Sequence, residues 1–363
     1  MTPFHIFRDR NVEHNDVYSD QSNVTSMYAH EAARFVRDTA LANEPFFLMV
    51  SFNSPHDPLY SSNAQRSRPD GRSSSGLYGD AVEDIDRAIG TVIGELVSVG
   101  AEENTIVLFT SDNGPWYEGS TRAGRNGSSP LRGRKATPFE GGFRVPGIMR
   151  WPRGGVGVAA NGHTAGPCCA THDSLAHFMD LLPTLLAACG LHVPVDRVLD
   201  GDDLLPAFRD SWARRNDSTA ARPTDAAGGI ADGAKASTRH FYYFSQNTLA
   251  AVRNGRWKLH LPHIIEPAEI VRARTCGREG THGVATNGAV GGWMWLSDLD
   301  VPGESYDHTM SHPRVAEAMY DEAVKWSAAF EANPRGWKQP PSWQKGLHDD
   351  ASPIPAADMM YYA

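Results

Sequence analysis

At 363 residues, with 40% hydrophobic and 21% charged positions, the chain can bury a sizeable core as one large domain or as one large and one small. Its formal charge of −9 is spread without a basic stripe or a block of like charge, which argues against a nucleic-acid partner or an anionic membrane surface and favours a small-molecule or glycan substrate. No run of about 18 apolar residues occurs, so no membrane span is expected, and the start MTPFHIFRDR lacks the apolar core of a signal peptide.

PFFLMVSF, residues 45–52, is a continuous apolar run entered from a proline, the pattern of a strand covered on both faces in a parallel sheet. YGDAVEDIDRAIGTVIGELVSVG then sets Val82, Ile85, Ile89, Val92, Ile93, Leu96 and Val97 at helical spacing, with Gly100 as the stop. NTIVLFTS, residues 104–111, is a second strand candidate, so strand, helix and strand predict a βαβ crossover. A further helix is predicted from near Asp173 through DSLAHFMDLLPTLLAACG, kinked or divided at Pro183 and ended by Gly190. Residues 211–237 carry Ala, Gly, Asp and Arg without periodicity and read as an insertion or linker. Beyond them HFYYF and LAAVRNGRWKLHL alternate around Asn254-Gly255, a hairpin signal, and predict a smaller antiparallel sheet. PRVAEAMYDEAVKWSAAF, residues 313–330, is an amphipathic helix to pack on it.

Four cysteines, Cys168, Cys169, Cys189 and Cys276, are too few and too irregular for a disulfide framework or a zinc site. His163, His172 and His177 near Cys168 and Cys169 lack a ligand spacing, and Asp200, Asp202 and Asp203 lack the length and terminal Glu of a calcium loop, so a structural turn is expected there. Asp84 and Asp86 are expected on the polar face or first turn of their helix. Sequons begin at Asn23, Asn126 and Asn216, as in a secreted glycoprotein, with Asn23 the candidate glycosylation site.

Three stretches have the makings of a site. Asp112 and Asn113 fall just past the second apolar run, where open α/β sheets bind ligands. Their oxygens are hard donors suited to Ca²⁺ or Mg²⁺, and Gly114 permits a tight turn, although Asp-Asn-Gly also serves as a plain turn. His56 follows the first run directly and can act as a general acid or bind an oxyanion. PLRGRKATPFEGGFRVP sets Lys135 in a Gly- and Pro-rich loop beside Glu140, Gly141, Gly142 and Arg144, where an ammonium can hold an anionic group as a point charge.

In order and spacing these stretches resemble the sulfatases, and among them the arylsulfatase and N-acetylgalactosamine-6-sulfatase branch. PFFLMVSFNSPHDPLY, YGDAVEDIDRAIG, TSDNG, RKATPFEGGFRVP, MDLLPTLLAACG, LDGDDLLP, RNGRWKLH and LSDLDVPGESYD carry the resemblance from about residue 18 to about residue 330, apart from the insertion. It implies an α/β fold with an alkaline-phosphatase-like mixed sheet flanked by helices, and a smaller C-terminal antiparallel sheet plus helix. It also implies hydrolysis of sulfate esters at a Ca²⁺ site with a formylglycine nucleophile. Asp112 and Asn113 resemble two of the calcium ligands. His56 resembles the histidine that contacts sulfate and assists the leaving oxygen, and Lys135 the lysine that binds sulfate and leaving-group oxygens. A sulfated small molecule or glycan is the implied substrate. A lysosomal, secreted or periplasmic setting is implied for the full-length parent, and a homo-oligomer is compatible.

The resemblance implies a C-x-P-x-R or S-x-P-x-R nucleophile segment, and the expectation is that neither form is present, since Cys168-Cys169 is followed by Ala170 and Thr171. The early strand ending in paired aspartates and the lysine-histidine pair beside the nucleophile are absent too. The expectation is therefore an N-terminally truncated sulfatase, inactive by itself, whose early strands are missing and whose sheet presents unpaired backbone and apolar faces. Residues 1–206 would form the later part of the catalytic α/β domain, 207–237 the insertion, 238–345 a small α+β domain and 346–363 a tail. The alternative is a catalytically dead sulfatase-like protein binding anionic glycans or a partner. A phosphoester or phosphonate hydrolase of the same superfamily is a third reading. Where the relatives place a disulfide cysteine at Cys276, its partner position just before Lys135 is Gly133 here.

Overall fold

A computed structural model describes residues 6–8, 11–14, 21–62, 73, 75–115, 131–157, 175–196, 198–209, 239–245, 248–261, 294–301 and 303–332. A short antiparallel pair, β1 (Ile6–Arg8) and β2 (Asn11–His14), precedes helix α1 (Val24–Leu41). Helix α2 (Gly76–Ser98) packs against α1. The contact is made by small residues, Ala29, Ala32, Ala33 and Val36 on α1 and Ala81 and Ala88 on α2, which let two helices approach closely. Arg37 closes it at the rim with paired bonds of 2.8 and 2.6 Å to the Glu95 carboxylate. Gly100, at φ 68°, ends α2 as expected, while Val82 and Val97 of the predicted apolar stripe face outward.

Asp84 departs from expectation. It is buried inside α2, where its carboxylate accepts from the Ser62 N–H at 2.6 Å and the Ser62 hydroxyl at 2.8 Å and pairs with Arg87, so it fastens the 60–62 segment to the helix. Asp86 stays exposed.

Strand β3 (Val107–Thr110) forms at the second apolar run, but it pairs antiparallel with β4 (Gly147–Arg150), in the register Val107 with Arg150 through Thr110 with Gly147. The first run does not join it. Residues 44–53 are extended without a ladder partner among the described residues, and their exposure alternates, leaving Phe47 79% and Met49 76% exposed. The predicted parallel βαβ unit is thus not formed among the described residues, whose sheets are all antiparallel. With no strand beside it among the described residues, the apolar run forms no ladder there.

The helix expected from Asp173 starts later. Residues 175–177 are not helical, Phe178–Asp180 form a 3₁₀ turn, and α4 covers Leu181–Ala188. Pro183 lies in the first turn, where a missing N–H breaks no helical bond, so it does not divide the helix. His177 caps this start rather than lying on the helix, accepting from the Met179 N–H at 3.2 Å, while Asp180 accepts from the His177 N–H at 2.7 Å. Asp180 is buried and also takes the Asp202 N–H and Arg239, which accounts for the 200–203 acids as a structural turn.

The C-terminal sheet is a four-stranded antiparallel meander, β5 (His240–Ser245), β6 (Thr248–Asn254), β7 (Trp257–His260) and β8 (Trp295–Asp298). Its hairpin turns at Gly255-Arg256, between the paired Asn254 and Trp257, with Gly255 at φ 55°. Helix α5 (Pro313–Ala332) packs Ala316, Met319 and Ala323 onto Val252, Leu259, Leu261, Met294 and Leu296, and Tyr242 stacks on Trp326 at 4.0 Å. The sheet is buried on its other face as well, where Lys258, His260, Trp295 and Ser297 stand. The insertion at 211–237, the outer sequons at Asn126 and Asn216, and Cys168, Cys169, His163, His172 and Cys276 lie outside the described residues.

Candidate active site

The site begins where β3 ends. Past Thr110 the Asn113 N–H donates to Asp112 Oδ1 at 2.9 Å, and the Ser111 hydroxyl reaches Asp112 Oδ1 and the Asn113 carbonyl at 3.5 and 3.2 Å. The Asn113 side-chain N–H donates to the Gly114 carbonyl at 2.9 Å. Asp112 Oδ2 and Asn113 Oδ1 take no part in these bonds; Asp112 is exposed and Asn113 half-buried. Gly114 is buried and its N–H donates to the Gly142 carbonyl at 3.0 Å, while a β-carbon there would run into the Gly141 carbonyl. Only glycine lets the strand end press this closely on the Glu140-Gly141-Gly142 stretch.

Lys135 arrives from the opposite side of that contact. Its N–H donates to the Pro115 carbonyl at 2.7 Å, so the loop carrying it is stitched directly to the turn carrying Asp112 and Asn113. The loop is tight: Gly133 lies at φ 85°, Ala136 at φ 68°, the Arg134 N–H reaches the Thr137 hydroxyl at 2.9 Å, and the Gly141 N–H returns to the Arg132 carbonyl at 2.6 Å. It leads into the short helix α3 (Glu140–Phe143) and then β4.

His56 stands apart from this stitching. It is exposed in a turn between Ser54-Pro55 and Asp57-Pro58, its N–H donates to the Asn53 carbonyl at 3.0 Å, and its Nδ1 lies 2.7 Å from the Asp57 carbonyl. A carbonyl only accepts, so Nδ1 carries the proton and Nε2 is the nitrogen left for chemistry. The structure therefore joins Asp112, Asn113 and Lys135 through the backbone and leaves His56 bonded within its own turn. Asn23 is exposed at the head of α1, with Thr25 of its sequon buried and 3.2 Å from the Ser54 hydroxyl.

Beneath the lysine loop lies a charged network that the sequence did not announce. Glu140 accepts from Lys258 Nζ at 2.9 Å, Arg253 Nη1 at 2.8 Å and the Tyr243 hydroxyl at 3.2 Å. Glu304 accepts from the Glu140 N–H at 2.7 Å and His260 Nε2 at 2.9 Å, with Lys258 Nζ at 3.4 Å. Lys258 and His260 are fully buried. Burial opposes ionisation of both carboxyls, but the Lys258 ammonium, helped by Arg253 at Glu140 and by His260 at Glu304, holds both below the usual carboxylate range, Glu304 at about 2. Burial lowers the His260 pKa, and its Nδ1 has no hydrogen-bond partner among the described residues, so a second proton there would find no acceptor among them. The ring rests on Phe139 at 4.7 Å.

The sulfatase family model matches residues 4–191, just over half of the chain. The chain belongs to the sulfatase family. N-acetylgalactosamine-6-sulfatase of Rattus norvegicus is 36% identical over 241 residues, covering 66% of this chain and 38% of its own length. Steryl-sulfatase of Homo sapiens is 35% identical over 209 residues, 56% of this chain and 33% of that protein. The chain thus spans about two fifths or less of these relatives. Among solved structures, Ps i-CgsB in complex with k-i-k-neocarrahexaose matches with a TM-score of 0.61 at 23% identity, covering 90% of this chain and 58% of that one. The PsFucS1 sulfatase from Pseudoalteromonas sp. matches at 0.60 and 21%, covering 87% and 54%. At these identities the likeness is one of fold, the alkaline-phosphatase-like α/β architecture expected from the sequence.

One expectation about this sulfatase needs correction. The cysteine form of the nucleophile pattern is absent, but the serine form, S-x-P-x-R, does occur as Ser128-Ser129-Pro130-Leu131-Arg132. It runs straight into the lysine loop. Residues 128–130 lie outside the described residues, while Arg132 donates to the Glu304 carbonyl at 3.0 Å and lies 4.2 Å from the centre of the Phe139 ring, a structural engagement for the pattern's arginine.

As a cation site, the strand end supplies two oxygen donors, Asp112 Oδ2 and Asn113 Oδ1, toward the ~6–8 that Ca²⁺ takes, so these residues fit as part of a ligand set. No group of three or more His, Cys, Asp or Glu side chains poised for a metal occurs among the described residues.

Proposed function

We propose that this chain is part of a sulfuric ester hydrolase that holds a sulfate group between the Asp112–Asn113 turn and Lys135. The observation that carries the reading is the pair of backbone bonds, Gly114 N–H to Gly142 and Lys135 N–H to Pro115, within the stretch matched by the sulfatase family model. They put hard oxygen donors and an ammonium-bearing loop on one scaffold. Asp112 and Asn113 would hold a calcium ion, which when bound supplies Lewis-acid polarisation of the sulfuryl oxygens. Lys135 offsets charge on the remaining oxygens. His56 Nε2, with Nδ1 committed to the Asp57 carbonyl, is the atom that would hand a proton to the departing alcohol, which requires the charged imidazolium. A formylglycine nucleophile, an aryl or glycan sulfate as substrate, and a lysosomal, secreted or periplasmic setting belong to the same proposal.

A second reading, an anion-binding sulfatase-like protein without turnover, is favoured by the strand end offering only two oxygen donors, with no cluster of three or more His, Cys, Asp or Glu side chains among the described residues. Titration calorimetry of the purified chain with sodium sulfate in the presence of calcium, alongside an aryl sulfate assay, separates the two. Binding that weakens about tenfold in Lys135→Ala supports the shared site. Sulfate release then marks the hydrolase, and binding without release marks the second reading. No binding at all overturns both.

A further inference from the structure

We infer that Lys258 and Glu304, on the C-terminal sheet and the turn after it, are positioning residues for the anion-binding loop of the amino-terminal half. The inference rests on the proposed role of Lys135, but its physical basis is a continuous chain of short contacts. Glu304 Oε2 takes the N–H of Glu140, a donor that the first turn of α3 cannot satisfy internally. Lys258 Nζ donates to the Glu140 carboxylate and lies 3.4 Å from Glu304 Oε1, so one buried ammonium bridges two buried carboxylates. Glu140 in turn fixes Gly141 and Gly142. The Gly141 N–H binds the Arg132 carbonyl at the loop's entrance, and the Gly142 carbonyl receives Gly114 behind Asp112 and Asn113. Pro115 then receives Lys135. The other end of the loop is seated on the same acid, because Arg132 donates to the Glu304 carbonyl.

The aliphatic core of β6, β7, β8 and α5 lies on the opposite face, with Leu259 pointing into it while Lys258 and His260 point away. The polar face is committed to the loop instead. With Arg253 counted, two carboxylates meet two cations, so the charges balance with His260 neutral. Removing Lys258 leaves two buried carboxylates facing each other at the root of the loop, and the loop gives way before the sheet does.

The test compares Lys258→Met with the double variant Lys258→Met/Glu304→Gln in the full chain, since Glu140 keeps Arg253 while Glu304 is the acid left without a cation. Three readouts are used: melting temperature, sulfate affinity with calcium present, and amide hydrogen exchange. The single variant is expected to speed exchange at Gly114, Lys135 and Gly141 about tenfold while Val252 and Leu259 stay protected. Its sulfate affinity should fall about tenfold. The double variant removes the unpaired charge, so its melting temperature should recover while sulfate affinity stays low. Recovery of affinity together with melting temperature, or loss of protection spread equally over Val252 and Leu259, would reduce the pair to a stabilising role and overturn the inference. Lys135→Ala serves as the reference: if it leaves sulfate affinity unchanged, the reading of the loop as an anion site fails, and the exchange pattern alone decides whether the sheet positions it.

Discussion

Two of the three sheets among the described residues, the β3–β4 pair and the C-terminal meander, grow from similar apolar runs and come out differently. In the C-terminal meander each strand has a neighbour, one face is covered by α5 and the other by the Glu140 and Glu304 network, and Val252, Leu259 and Leu296 are fully buried. In the amino-terminal half the β3–β4 pair leaves Ile148 62% exposed, and the extended 44–53 run bares Phe47 and Met49. An apolar sequence thus settles a strand only when something covers it; on its own it yields an extended segment with one side in water. The contrast also locates the stability. Burial of an aliphatic side chain is worth about 1.5–3 kcal/mol, and three such side chains with no exposed surface, Val252, Leu259 and Leu296, stand in the meander.

The comparison can be broken most forcefully at Lys258. Replacing it with Met should loosen the seat of the lysine loop, read as amide exchange about tenfold faster at Gly141, because Glu140 and Glu304 lose their shared counter-charge. Gly114→Ala attacks the other end of the same contact. Its β-carbon meets the Gly141 carbonyl, and a loss of about 1–3 kcal/mol with weakened sulfate binding is expected.

Acid should distinguish the halves next. His260 and His177 have lowered pKa values because burial disfavours their charged forms, so the unfolded chain takes up protons near 6.5 while the folded one resists. Their contribution is full above that value and is lost as pH falls through it. Glu304 moves from 4.5 to about 2, so its contribution is present above 4.5 and is lost as pH falls toward 2. Both signs agree. The melting temperature should be flat above neutrality, then drop in two stages, and Glu304→Gln should flatten the lower stage. The smallest effect is expected at the exposed run: Phe47→Ser should shift stability by less than about 0.5 kcal/mol, yet lower self-association measured by light scattering.

Much of the frame was legible in the residues. The 3.6-residue stripe of α2 ended at its glycine, Asn254-Gly255 marked the hairpin, and α5 lay where Ala316, Met319 and Ala323 recur. Helix α1 carries little apolar contrast in the sequence, because half of its buried residues are alanine and one is threonine. The partner of β3 was missed since Gly147–Arg150 is short and closes on a charge. At the site, Asp112, Asn113 and Lys135 could be named because local motifs carry them. Glu304 could not, since it reaches Glu140 across 164 residues and nothing near Gly303-Glu304 betrays that contact. Lys258 and His260 read as the polar side of an alternating strand, whereas both point into the protein.

The distance in sequence between Glu140 and Glu304 has a bearing on biosynthesis. A ribosome that has just released the lysine loop must still translate the remaining strands before the acid that seats that loop has left the exit tunnel. The amino-terminal half consequently waits in an unlatched form throughout translation, and a nascent chain stalled short of residue 304 should be cut readily by protease near residue 135, while one extended past the final helix should resist.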